Sequence, residues 1–158
     1  MSDPARALLR HTLATVAYRG GKAVRGAPES FAAFRAAAGA RTPAEILAHI
    51  GDLFDWAISL ADGKQVWHNS TPLPWPQETA RFFGSLERFD QRVASEVPLA
   101  SPPERLFQGP VADALTHVGQ LTMLRRLADV PIKGENYYGA DIQAGRVGAD
   151  QSAPRHEF

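Results

Sequence analysis

The chain has 158 residues, 44% of them apolar and 22% charged, and its 17 basic and 17 acidic side chains cancel. That length suits one domain with a substantial core, and zero net charge without a basic patch argues against a nucleic-acid footprint. There is no cysteine, which excludes disulfides, thiolate metal sites and a protein-borne thiol nucleophile.

The N-terminal stretch MSDPARALLRHTLATVAYRGG carries arginines throughout and has no uninterrupted apolar core. It reads neither as a signal peptide nor as a membrane span. No other stretch approaches the roughly 18 to 20 apolar residues that a span needs. The expectation is a cytoplasmic protein with no membrane and no nucleic-acid partner. Neutral charge leaves little repulsion against self-association, so a homodimer is compatible with the composition.

Runs of alternating β-branched residues and hairpin dipeptides are nearly absent, whereas helix signals recur. The first helix is expected from Pro4 to about Val24, with Asp3 as its cap and Gly20-Gly21 as an early stop. A short connecting helix is expected over Pro28 to Ala38, stopped by Gly39. Thr42, Pro43 and Glu45 form a capping box. The second long helix then runs through PAEILAHIGDLFDWAISLAD to Gly63. The Pro-, Ser- and Asn-containing stretch KQVWHNSTPLPWP reads as a loop. A third helix starts near Pro76 and ends before VPLASPP. A turn at Glu104 to Phe107 precedes a fourth long helix, from Pro110 to about Asp129. From Ile132 onward the chain reads as a tail packed on the bundle, with one helical turn near Tyr138 to Ala144. The pattern predicts an all-α domain: a four-helix bundle over about 4–130, with a short extra helix and an irregular tail over 131–158.

At about 100° per residue, Ile46, Ile50, Leu53, Ala57 and Leu60 share a buried stripe of the second helix, and His49 lies at its edge. Asp52 and Asp55 rotate toward solvent. On the fourth helix Leu121, Leu124 and Ala128 mark the apolar stripe. Asp113 and His117 lie one turn apart on that side, where i and i+4 side chains are neighbours. A carboxylate left unpartnered on such a face costs several kcal/mol. Two imidazoles and one carboxylate on facing helices make a three-ligand set with open positions, suited to Zn²⁺, Ni²⁺ or Fe²⁺. The same residues also fit a hydrogen-bonded core histidine beside an Asp113–His117 pair.

The segments TPAEILAHIGDLFDWAI and ADALTHVGQLTMLRRL resemble the second and fourth helices of the DinB-like (YfiT-like) four-helix-bundle family. That family is marked by a histidine on the second helix and H-x-x-x-H on the fourth, commonly followed by Arg-Gly-Gln. His49 matches the first position. His117, followed by Val118-Gly119-Gln120, matches the last histidine. Asp113 stands where the family has its other histidine, and a carboxylate ligates the same ions. The resemblance implies a divalent-metal site of His49, Asp113 and His117. It also implies a metal-dependent enzyme on a small-molecule substrate. Family members include transferases and isomerases that use a low-molecular-weight thiol, which this cysteine-free chain would have to bind as a cofactor. Metal-assisted hydrolysis is an equal variant. A non-catalytic metal- or small-ligand-binding bundle, of a stress-related kind, is the other reading.

Around the triad, Gln120 is expected to orient a ligand by hydrogen bonding. His68 is either a fourth ligand or a solvated loop residue. Trp56, Trp67 and Trp75 either wall a pocket or pack in the core. Tyr137 and Tyr138 either close over the bundle end or dock the tail. His11 and His156 read as surface residues, and Arg125-Arg126 as a solvated or dimer-edge pair.

Overall fold

The computed structural model describes residues 3–158 and is all-helical in its regular structure. The first helix, α1 (Pro4–Val24), starts where Asp3 accepts a hydrogen bond from the Ala5 amide at 2.9 Å, with Pro4 in its first turn. Gly20 and Gly21 do not end it. They lie inside the helix, where a Cβ on Gly20 would stand 2.6 Å from the Phe82 ring. Glycine serves close helix packing there, at a modest cost in helix propensity.

The expected connecting helix is only a 3-10 turn, Glu29–Ala33. Phe31 is buried edge-on against Trp75, with ring centroids 5.6 Å apart. The residues beyond it offer only the half-buried Phe34 to the core. Such a segment has no second apolar turn to offset the cost of propagating a helix.

Helix α2 (Pro43–Ala61) begins with the anticipated capping box. The Glu45 amide donates to Thr42 Oγ1 at 3.2 Å, and the Thr42 amide donates to Glu45 Oε2 at 2.7 Å. Helix α3 (Trp75–Ala94) follows the 62–74 loop. The last long helix differs from expectation. A short α4 (Pro103–Leu106) passes through a π-helical turn, Phe107–Val111, into α5 (Ala112–Leu127). Pro110 sits within that turn. It has no N–H to donate and crowds the preceding turn, so the backbone widens there. The widened turn ends just before Asp113.

α1 and α2 each pack against both α3 and α5. The four long helices thus enclose one core, built from residues such as Leu13, Ile50, Phe54, Phe82, Phe89 and Leu121. Leu60 and Ala128, expected within apolar stripes, lie only partly buried at the edge of that core. The tail is irregular except for a 3-10 turn at Tyr137–Gly139, shorter and earlier than expected. Asn136 caps that turn, accepting from the Tyr138 amide at 3.1 Å. Glu135 pairs with Glu157 in an isolated bridge. Glu135 also accepts from the Tyr18 hydroxyl at 2.6 Å and from Lys22 Nζ at 2.7 Å, which ties the tail to α1.

Arg125 overturns its sequence reading as a solvated or dimer-edge residue. It is buried, and its guanidinium donates to the carbonyls of Ala23, Arg25 and Val130. It joins the C-terminal ends of α1 and α5, where carbonyls lack helical partners. Burial lowers its pKa from the ordinary arginine value.

Candidate metal centre

His49 lies midway along α2, and Asp113 and His117 lie one turn apart near the start of α5. The packing of α2 on α5 brings the three side chains together. His49 Nε2 is 3.5 Å from Asp113 Oδ2, and His117 Nε2 is 3.5 Å from Asp113 Oδ1. One ligand atom from each residue lies within 4.8 Å of the other two. The imidazole rings meet nearly at right angles, with centroids 4.8 Å apart.

A separation of 3.5 Å is long for an N–H···O hydrogen bond. It is close to the edge of a tetrahedron, about 3.4 Å for ligands about 2.1 Å from a shared ion. The donor set therefore suits a divalent cation in its chemistry, and each histidine lies about one such edge from an oxygen of Asp113. Asp113 corrects one step of the sequence argument. Its side chain is 47% exposed, so burial cost does not compel a partner for it.

His117 is oriented from behind. Its Nδ1 lies 2.7 Å from Gln120 Oε1, and an acceptor oxygen at that position calls for the proton on Nδ1. Nε2 is then the lone-pair nitrogen facing Asp113 and His49. This is the arrangement expected of a metal-ligating imidazole and its outer partner. His49 titrates below the ordinary histidine value. Burial is the main cause, reinforced by His117 and Arg41 and opposed by Asp113. Its neutral, ligand-competent form is therefore favoured.

Two clefts flank the triad. One, of about 430 Å³, is lined by Leu53, Trp56, Gly109, Asp113 and Thr116. The other, of about 380 Å³, is lined by Arg41, Ile46, His117, Gln120 and Met123. Trp67, from the 62–74 loop, packs edge-on against both His49 and Trp56, with centroids 5.5 and 5.8 Å away. Trp56 and Trp67 thus form an aromatic wall, whereas Trp75 belongs to the core beside Phe31.

The other candidates lie elsewhere. His68 does not join His49 as a fourth ligand. Its Nε2 is 3.3 Å from Asp52 and 3.7 Å from Asp55. Asp52, expected in solvent, is 3% exposed. It accepts from the amide of Ser70 at 2.8 Å, from the Ser70 hydroxyl at 2.6 Å and from Arg81. Burial alone would raise the Asp52 pKa, but Ser70 and Arg81 outweigh it and hold the carboxyl below its usual value. Tyr137 packs edge-on against Tyr18 at 6.1 Å and lies under the Arg19 guanidinium at 4.3 Å. It belongs to the tail dock, and Tyr138 is almost fully exposed. His11 and His156 are exposed, as the sequence suggested.

Sequence reasoning offered Trp67 as a pocket wall without placing it beside His49, and it missed Arg41 as a wall of the second cleft. Both lie outside helices, where periodicity carries no signal. Among the described residues, no helix is long and apolar enough to cross a membrane. Compared with known proteins, the chain matches no family model, no curated protein and no solved structure.

Proposed function

We propose that the protein holds one divalent ion, zinc, nickel or iron, through His49, Asp113 and His117, and acts on a small molecule beside it. The observation that carries this reading is the spacing of the three ligand atoms. Each histidine Nε2 lies a tetrahedral edge away from a different oxygen of one carboxylate. Three protein ligands leave coordination open, and the two clefts give that opening access to solvent.

A bound ion supplies Lewis acidity and lowers the pKa of a thiol or water beside it. The chain contributes orientation. Gln120 fixes the His117 tautomer, and Trp56 and Trp67 present an apolar wall next to His49. With no cysteine in the chain, a reaction that needs a thiol must take it from a low-molecular-weight cofactor. The DinB-like resemblance of the α2 and α5 segments supports a thiol-dependent transferase or isomerase ahead of a hydrolase. Asp113 in place of a histidine adds one negative charge to the ligand set. That charge favours harder ions more than an all-histidine set does.

A non-catalytic, small-ligand-binding bundle whose triad holds no metal is the second reading, and it draws on Asp113. Its carboxylate lies between two imidazoles, so protonation of one histidine turns the cluster into a salt bridge without any ion. Elemental analysis of protein purified without an affinity tag separates the cases, and we expect about one equivalent of metal. Cobalt-loaded protein should then develop a thiolate charge-transfer band when a small thiol is added. Metal content near zero after incubation with zinc, nickel and iron would remove the metal reading. Full cobalt loading with no band from mycothiol, bacillithiol or glutathione would remove the thiol chemistry alone.

A further inference from the structure

Another cavity, of about 280 Å³, lies between the tail and the faces of α1 and α5. Its walls carry three cations: Arg19 from α1, Arg126 from α5 and Lys133 from the tail. Among its side chains one is acidic, Glu135, and that side chain is committed. It is fully buried, bonded to the Tyr18 hydroxyl at 2.6 Å and to Lys22 at 2.7 Å. Lys22 in turn holds Glu157 at 2.9 Å. Among the described residues, none of the three cations lies within salt-bridge distance of a carboxylate. Glu135 and Glu157 are both held by Lys22. In a chain whose charges cancel overall, three cations with no carboxylate in contact around one concavity form a local positive field.

We propose that this cavity is a binding site for a small phosphate-bearing anion, a free phosphate or a compact phosphate ester. Two guanidiniums and an ammonium match a tetrahedral oxyanion. The guanidiniums offer paired N–H groups at fixed geometry, and the lysine a point charge. The volume lies just below the usual range for drug-sized ligands, which selects a compact molecule over a dinucleotide. The Arg19 guanidinium already rests over the Tyr137 ring at 4.3 Å, so its plane is held in place before a ligand arrives.

The site also spans two parts of the fold. Lys133, Tyr137 and Phe158 belong to the tail, and Arg19 and Arg126 to the bundle. An anion bridging them holds the tail against the helices and stabilises the folded state by mass action. This site stands apart from the metal centre, with which it shares no lining residue.

The test is thermal unfolding and limited proteolysis of the whole chain, titrated with inorganic phosphate and with glycerol phosphate at constant ionic strength. We expect a saturable rise in melting temperature and slower cleavage within 131–158 for both. Chloride at the same ionic strength should give neither. Arg126→Gln combined with Lys133→Gln should weaken phosphate binding at least tenfold. Arg126 and Lys133 are exposed, so the double variant should fold as wild type. Charge reversal in Arg126→Glu should abolish binding, and Arg105→Gln, outside the cavity, should leave it unchanged. The absence of a saturable shift with both phosphates would overturn the proposal. So would unchanged binding by the folded double variant.

Discussion

Two clusters of carboxylate and imidazole lie on α2, and they differ in what compensates their charge. In the first, His49 meets Asp113 and His117 from α5. In the second, Asp52 and Asp55 meet His68 from the following loop. Both gather ligand-type atoms within 4.8 Å of one another. In the second, both aspartates already have a guanidinium in contact. Arg81 contacts Asp52, and Arg88 contacts Asp55 at 3.0 Å. The first has two imidazoles, a carboxylate and, among the described residues, no cation in contact with that carboxylate except by protonation of a histidine. Proximity of ligand atoms does not by itself make a metal centre. What differs is the partner: Asp52 and Asp55 each contact a guanidinium, whereas Asp113 contacts only imidazoles, so an ion has fewer existing bonds to displace there.

The strongest test of that contrast removes the internal cation. Arg81 bridges Asp52 and Glu78, both buried, and is itself only 17% exposed. Arg81→Met strands two buried carboxylates, and we expect it to lower stability by about 3–5 kcal/mol. Urea unfolding would measure this, and zinc affinity of the folded fraction should change little. A loss below about 1 kcal/mol, the range of a surface ion pair, would show that the second cluster is not a structural strut.

Asp113→Ala should weaken zinc binding by more than the roughly 10–100-fold that loss of an outer-shell partner causes. Asp113→His should retain binding, since imidazole ligates the same ions. Asp55→Asn, in the other cluster, should leave zinc affinity where it was. Calorimetric titration of the three variants decides the matter. Equal affinities for wild type and Asp113→Ala would show that Asp113 is no ligand and would erase the distinction between the clusters.

A smaller effect is expected at Gln120, which fixes the His117 ring from 2.7 Å. Gln120→Leu frees that ring and the choice of its tautomer, and zinc affinity should fall about tenfold. The side chain is on the exposed surface of α5, so stability should barely move. A stability loss with unchanged affinity would reverse this assignment.

The sequence was most legible where one helix carries its own signal. The Thr42–Glu45 capping box, the Asp3 cap and the Asp113–His117 spacing are local patterns, and all three stand in the structure. His49 was legible because it lies at the edge of an apolar stripe whose partner helix carries the complementary pair. The misreadings share a different cause. Asp52 shows solvent-facing periodicity, yet it is buried because Arg81, from another helix, and Ser70, from a loop, cover it. Arg125 resembles a surface arginine until the carbonyl ends of two helices converge on it. Pro110 marked a helix start by the ordinary rule, but a π-turn carries the helix back beyond it to Pro103. Long-range partners that neutralise a charge leave no trace in the spacing of a single helix.

Protons tie the first cluster to the cleft beside it. His49 has a pKa below its ordinary value of 6.5, chiefly from burial, with His117 and Arg41 adding to the depression and Asp113 opposing it. A depressed imidazole pKa favours the neutral folded form, so the unfolded chain binds this proton first as the pH falls. Stability from this group is present above about pH 6.5. It declines as the pH drops from there toward the lower folded pKa. The same depression limits proton competition for the metal, so zinc uptake should be level at and above neutral pH and fall only on the acid side of 6.5. Arg41 is exposed and takes no part in the triad. In Arg41→Gln the remaining depression comes from burial and His117, so the midpoint of zinc uptake should move toward neutral pH. The affinity plateau above it should change little. Uptake measured against a competing chromophoric chelator across pH 5 to 8 would show the displacement. A midpoint that stays fixed, or moves to more acid pH, would mean that Arg41 does not act on His49 and that the cleft is electrically separate from the ligand set.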